Sequence, residues 1–221
     1  MAFAVAVACA LVDWFAVARK KRRLEYIFKP ATMVAVIAGA VVLMPTARSG
    51  WLAWWFLPAL ILSLFGDIFL MLPGKRWFLL GLFSFLTAQG CYILGLNRTL
   101  PPLIALALLV PVAALAVVLL GRIVAGVERR GRTELRIPII LYGVILSLTL
   151  FSGWATWFRP GWIPAGRGLV SVGVTFFYVS DLMLAWDRFV ERSHYLHILV
   201  IVTYHLAQLA LAAAVRWGGA G

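Results

Sequence analysis

Eight apolar runs, each close to the roughly 20 residues that an α-helix needs to cross bilayer hydrocarbon, occupy nearly the whole chain. They cover Ala2–Ala18, Phe28–Met44, Trp51–Leu72, Trp77–Leu96, Leu100–Leu120, Ile137–Phe158, Leu169–Trp186 and Tyr195–Val215. In lipid a backbone must satisfy its own polar groups, and for single segments only the helix does so. The expected fold is therefore all-α, a polytopic integral membrane bundle of about eight transmembrane helices, with residues 1–221 as a single transmembrane domain. Composition agrees, since 64% of residues are hydrophobic and 13% charged, against roughly 45–50% and 25% in soluble domains. Cys9 and Cys91 both lie inside apolar runs, where a thiol behaves as a small hydrophobe. Neither a disulfide framework nor a metal site is expected from them, and no cofactor is implied.

The cations set the expected orientation. The first run has the small residues of a signal peptide, but the basic run Arg19-Lys20-Lys21-Arg22-Arg23 follows it, so a retained helix is expected. Placing alternate loops inside puts 15 Lys and Arg residues there and five outside, which by the positive-inside rule gives eight spans with both termini outside a bacterial-type plasma membrane. The net charge of +12 then reflects orientation and attraction to anionic lipid. Nucleic-acid binding would need a solvated basic domain, which the sequence lacks.

Against this background two aspartates stand out, in Ser63-Leu64-Phe65-Gly66-Asp67-Ile68-Phe69-Leu70 and in Tyr178-Val179-Ser180-Asp181-Leu182-Met183-Leu184. A charged side chain at the centre of a membrane helix costs roughly 2.5–3.5 kcal/mol on insertion scales, so such residues face the bundle interior and carry function. Asp67 and Asp181 each lie five residues from the inner end of a run that travels inward, about 7–8 Å below the boundary. A weak direct repeat (Lys29-Pro30 with Arg136-Ile137-Pro138, Thr87-Ala88-Gln89 with Leu206-Ala207-Gln208) suggests two four-helix halves. These would bring both aspartates to one central cavity.

Helical spacing adds polar neighbours. Ser171, Thr175, Tyr178 and Asp181 share one face of the seventh helix, Gln89 and Tyr92 one of the fourth, and Tyr204 and Gln208 one of the eighth, with His205 beside them. Interhelical hydrogen bonding explains many such residues. The candidate catalytic residues are Asp67 and Asp181; the candidate substrate contacts are Lys29, Gln89, Tyr92, Tyr142, Tyr178, Tyr204 and His205. Asp13 is expected to pair with the basic run after it, and Asp187 and Glu191 with Arg188 and Arg192 at the surface. His194 and His197 lack a nearby third ligand and read as an interfacial pair.

Gly66-Asp67-Ile68-Phe69-Leu70-Met71-Leu72-Pro73, with Phe78, Gly81-Leu82, Phe85 and Ala88 to Tyr92 after it, resembles the signature of the YhhN-like lysoplasmalogenase family. Ser180-Asp181-Leu182-Met183-Leu184-Ala185 with Arg188-Phe189 is similar to that family's penultimate-helix motif, and Lys29-Pro30 also fits. One departure is Gln89, where the family commonly has histidine. The resemblance implies a lysophospholipid substrate drawn from membrane lipid, and hydrolysis of a lysoplasmalogen's vinyl ether to a fatty aldehyde and a glycerophospho-ethanolamine or -choline. That chemistry requires a protonated carboxylic acid beside an anion. Two carboxyls in a poorly solvated cavity can divide these roles, as Asp67 and Asp181 are expected to do. The head-group phosphate would meet Lys29, Lys75, Arg76, Arg188 or Arg192, with Lys29 favoured. His205 is a candidate for the proton carrying that Gln89 cannot perform. The rival reading is a small proton-coupled transporter that uses the same aspartates.

Overall fold

A computed structural model describes residues 1–219. Among the described residues there are eight α-helices and no strand: α1 (Ala2–Ala18), α2 (Arg22–Leu43), α3 (Gly50–Met71), α4 (Lys75–Leu96), α5 (Leu109–Arg129), α6 (Arg136–Ala155), α7 (Pro164–Phe189) and α8 (His194–Trp217). Seven of these, α2 to α8, are long and apolar enough to cross a membrane, and α1 is an apolar helix of 17 residues. Local chemistry fixes several ends. Ser49 caps α3 by accepting from the Leu52 N–H at 3.3 Å, and Pro164 opens α7 at its first turn. Gly74, Gly131 and Gly161 take positive φ in the turns before α4, α6 and α7.

Two boundaries depart from the apolar runs. The fifth run reads as Leu100–Leu120, but after Pro101 and Pro102 the chain makes a short 3₁₀ segment, Leu103–Leu108, before α5 begins. At its other end α5 continues through Arg122, Glu128 and Arg129, because long charged side chains are good helix formers. It stops near Gly131. Similarly, α7 passes Trp186 and ends at Phe189. Asp67 therefore lies about one turn from the end of α3 and Asp181 about two turns from the end of α7, so the equal spacing read from the apolar runs does not carry over to the helix ends.

The helices pack mainly as hairpins, α1 on α2, α3 on α4, and α7 on α8. Across the middle α2 lies on α8 and α6 on α4, so the second helix of each half meets the fourth helix of the other. The core they enclose is aromatic, with Phe56 edge-on to Tyr92 (4.9 Å between centroids) and Phe177 edge-on to Tyr204 (5.7 Å). Helix α5 covers α6 from outside and leaves most of its apolar surface exposed. On the side away from the aspartates Arg159 is buried. It donates to Asn97 Oδ1 at 2.7 Å and to Thr99 Oγ1 at 3.1 Å, tying the loop after α4 to the loop after α6.

Close crossings are made by small residues, as is usual between membrane helices. A Cβ on Gly126 would fall 2.5 Å from the Phe189 carbonyl oxygen, where α5 meets the end of α7, whereas one on Gly90 would meet nothing within 4 Å. Gly126→Ala is expected to destabilise the fold by about 1–3 kcal/mol, while Gly90→Ala is neutral or stabilising by up to about 1 kcal/mol. Thermal unfolding in detergent reads the difference, and equal midpoints would refute the close approach.

Candidate active site

Asp67 is fully buried on α3 and has two partners from other helices. The Lys29 ammonium of α2 lies 3.0 Å from its Oδ1, and the Tyr204 hydroxyl of α8 donates to its Oδ2 at 2.6 Å. Charge-assisted bonds of this kind are what a carboxylate needs once removed from water. The Lys29 ammonium also sits over the Tyr204 ring, 5.7 Å from its centroid. The residue before Asp67 has a packing reason to be glycine: a Cβ on Gly66 would come within 2.5 Å of the Phe85 ring.

Asp181 has a different setting. Its Oδ2 accepts from the Tyr142 hydroxyl of α6, and among the described residues it has no ion-pair partner. Ser180 beside it donates to the Val200 carbonyl at 3.0 Å, so here too the small residue before the aspartate serves helix packing. The two carboxyls keep separate phenol partners. Asp181 and Tyr142 line a partly open pocket, walled otherwise by apolar side chains such as Leu70, Phe78, Phe85 and Ile139 and lined also by Arg188. Asp67 stands one layer behind: Phe85, a wall residue, packs edge-on against Tyr204 at 5.9 Å.

The polar stripe of α7 divides along its length. Ser171 and Thr175 accept from Trp157 and Trp154 at 2.8 and 3.0 Å, so they are interhelical glue. Tyr178, lower on the stripe, lies near Ser147 of α6, and Asp181 reaches the cavity. Gln89 is fully buried beside Tyr142, and neither end of its amide has a partner at hydrogen-bond geometry. Tyr92 donates to Gln208 Oε1 at 2.9 Å, a second polar layer further from the cavity.

His205 turns toward α1. Its Nδ1 accepts from Trp14 Nε1 at 3.1 Å, and its Nε2 lies 3.9 Å from Asp13 Oδ2. Asp13 is fully buried there and does not join the basic run that follows it. His197 meets Glu25 at 3.4 Å, and Asp187 accepts the Ser193 N–H at 2.7 Å. Sequence reasoning did not give Lys29 its partner, because α2 and α3 join only in the fold. The placement of Arg188 was legible, seven residues after Asp181 and hence on the same helix face.

Fold and site together define a polytopic membrane protein in which two of the three buried carboxyl groups, Asp67 and Asp181, are each held by a tyrosine from another helix. The chain belongs to the YhhN family, whose model matches residues 24–215. It is similar to the lysoplasmalogenase of Mycobacterium tuberculosis, with 30% identity over 192 residues, 85% of this chain and 69% of that protein. It is also similar to human lysoplasmalogenase TMEM86B, with 30% identity over 155 residues, 69% of this chain. That match spans 59% of the human protein's length. No solved structure matches the chain.

Removing one partner of a buried ion pair leaves an uncompensated charge and costs about 3–5 kcal/mol, whereas removing both can be nearly neutral. Lys29→Met is therefore expected to lower the thermal midpoint in detergent, and addition of Asp67→Asn to restore most of the loss. Additive losses in the double variant would show that the pair is not coupled.

Proposed function

We propose that this protein hydrolyses the vinyl ether bond of lysoplasmalogens, releasing a fatty aldehyde and the glycerophospho-head group. The observation that carries the reading is a carboxyl group without a counter-ion, Asp181, opening into an apolar cavity with a second, ion-paired carboxyl one layer behind. The names of the relatives support the same activity. So does the apolar cavity wall, which suits a hydrocarbon chain with one reactive ether.

The asymmetry between the carboxyls assigns their roles. Lys29 compensates the charge of Asp67, so Asp67 is the anion; Asp181 has no cation beside it, so it carries the proton. Tyr142 occupies one Asp181 oxygen and leaves the other for the substrate. Asp181 gives its proton to the outer alkene carbon, and the electron pair of the ether oxygen forms the oxocarbenium ion. Asp181, now a carboxylate next to that cation, accepts a proton as water adds to the cationic carbon, and so returns to its starting state. The hemiacetal then breaks its bond to the glycerol oxygen as its hydroxyl loses a proton and the leaving oxygen gains one, giving aldehyde and alcohol. Asp67 and Lys29 act from behind, their fixed charges shaping the potential felt by the developing cation. By this reading the substrate enters from the inner leaflet, with both protein termini outside, in line with the distribution of Lys and Arg.

Purified protein in detergent is expected to release aldehyde from a lysoplasmalogen and none from its saturated ether analogue. Asp181→Asn is expected to lower kcat by about 10²–10⁴-fold, the range for loss of a general acid, with the thermal midpoint retained. Full turnover by Asp181→Asn would remove it from the mechanism. Absence of aldehyde from the unmodified protein, with proton-coupled flux in liposomes, would favour a transporter.

A further inference from the structure

The cavity that opens onto Asp181 has a cation at its other end. Arg188 lines it two helical turns after Asp181 on one face of α7, about 10 Å further along the axis. Its Cζ lies 4.0 Å from the centroid of the Phe78 ring. A guanidinium stacked by its face on an aromatic ring keeps its in-plane N–H donors available. Arg188 is half-buried and, among the described residues, has no carboxylate partner. Of the acids beside it in the chain, Asp187 accepts the Ser193 N–H, and the exposed Glu191 makes no ion pair with it. A half-buried guanidinium without a counter-ion is unfavourable, and an anion beside it would offset this.

We propose that Arg188 binds the phosphodiester of a single-chain glycerophospholipid whose ether-linked chain runs down the cavity to Asp181. The proposal rests on the hydrolase reading above. It supplies the head-group anchor that Lys29, engaged by Asp67, does not offer. A phosphodiester presents two unesterified oxygens, which suits the bidentate donors of arginine. A glycerol unit with its ether oxygen separates that phosphate from the first chain carbons by a length comparable to the rise from Asp181 to Arg188. With the phosphate fixed at one end, the outer alkene carbon falls at the acid.

The test uses the full chain in detergent and the saturated ether lysophospholipid as an uncleavable probe, with binding followed by titration calorimetry. A second probe is the same alkyl glycerol without its phosphate. Arg188→Gln is expected to weaken binding of the phosphate-bearing probe by about 10- to 100-fold, the range for hydrogen bonds to a charged group, and to leave the phosphate-free probe unchanged. Arg188→Lys, which keeps the charge without the fork, is expected to recover part of the loss. Equal loss for both probes, or unchanged binding of the phosphate-bearing one, would overturn the assignment. It would also be overturned if Arg188→Gln altered only affinity for inorganic phosphate or for anionic diacyl-lipid vesicles, since these outcomes describe a free-phosphate or leaflet site. Because the probe is not cleaved, the binding result stands whether or not the vinyl ether is hydrolysed; lack of aldehyde from the unmodified protein would remove the hydrolase reading alone.

Discussion

A carboxylate inside an apolar bundle persists only beside a counter-charge and good donors, and the cluster of Lys29, Asp67 and Tyr204 meets this requirement from three helices at once. The cluster places α2, α3 and α8 in register around one point. Gly66 then lets α4 bring Phe85 against α3, and Phe85 divides the buried charge from the cavity by packing on Tyr204. The stability of this arrangement depends on the pair staying intact, because either member alone is an unpaired charge in a low-dielectric interior. In the proposed mechanism the same pair supplies the fixed charges behind the site.

In the proposed hydrolysis the contrast with Asp181 divides the two roles. Both aspartates occupy similar motifs, are preceded by a small residue and accept from a phenol. One has a cation and no access to the cavity; the other has access and no cation. An acid that transfers a proton to carbon must touch its substrate and be neutral beforehand. A fixed anion is most useful where water and substrate do not displace its partner. In that proposal two similar sequence motifs take different roles because of what α2 and α6 place beside them.

Much of this was legible in the sequence. All eight helices follow from the apolar runs, and the two aspartates stand out by the cost of placing them there. The ends of α5 and α7 were not, since hydropathy marks where apolarity stops, whereas a helix continues through arginine and glutamate until glycine or a turn ends it. Periodicity put Ser171, Thr175, Tyr178 and Asp181 on one face, yet it could not separate the two that bond tryptophans from the two that lie nearer the cavity. Lys29 read as a phosphate anchor because sequence shows a cation at a helix start and not the acid that α3 brings to it. Asp13 read as the partner of the basic run beside it, and packing of α1 on α8 gives it His205 as a neighbour instead.

Protonation of carbon by a carboxylic acid is the step from which the rest of the account follows, and an isotope reads it directly. Turnover of a lysoplasmalogen in deuterium oxide, with the aldehyde reduced at once to its alcohol by borohydride, should leave one solvent-derived deuterium on the carbon next to the former carbonyl. A product with hydrogen alone at that carbon would mean that the bond is broken by another route, and would contradict the role given to Asp181.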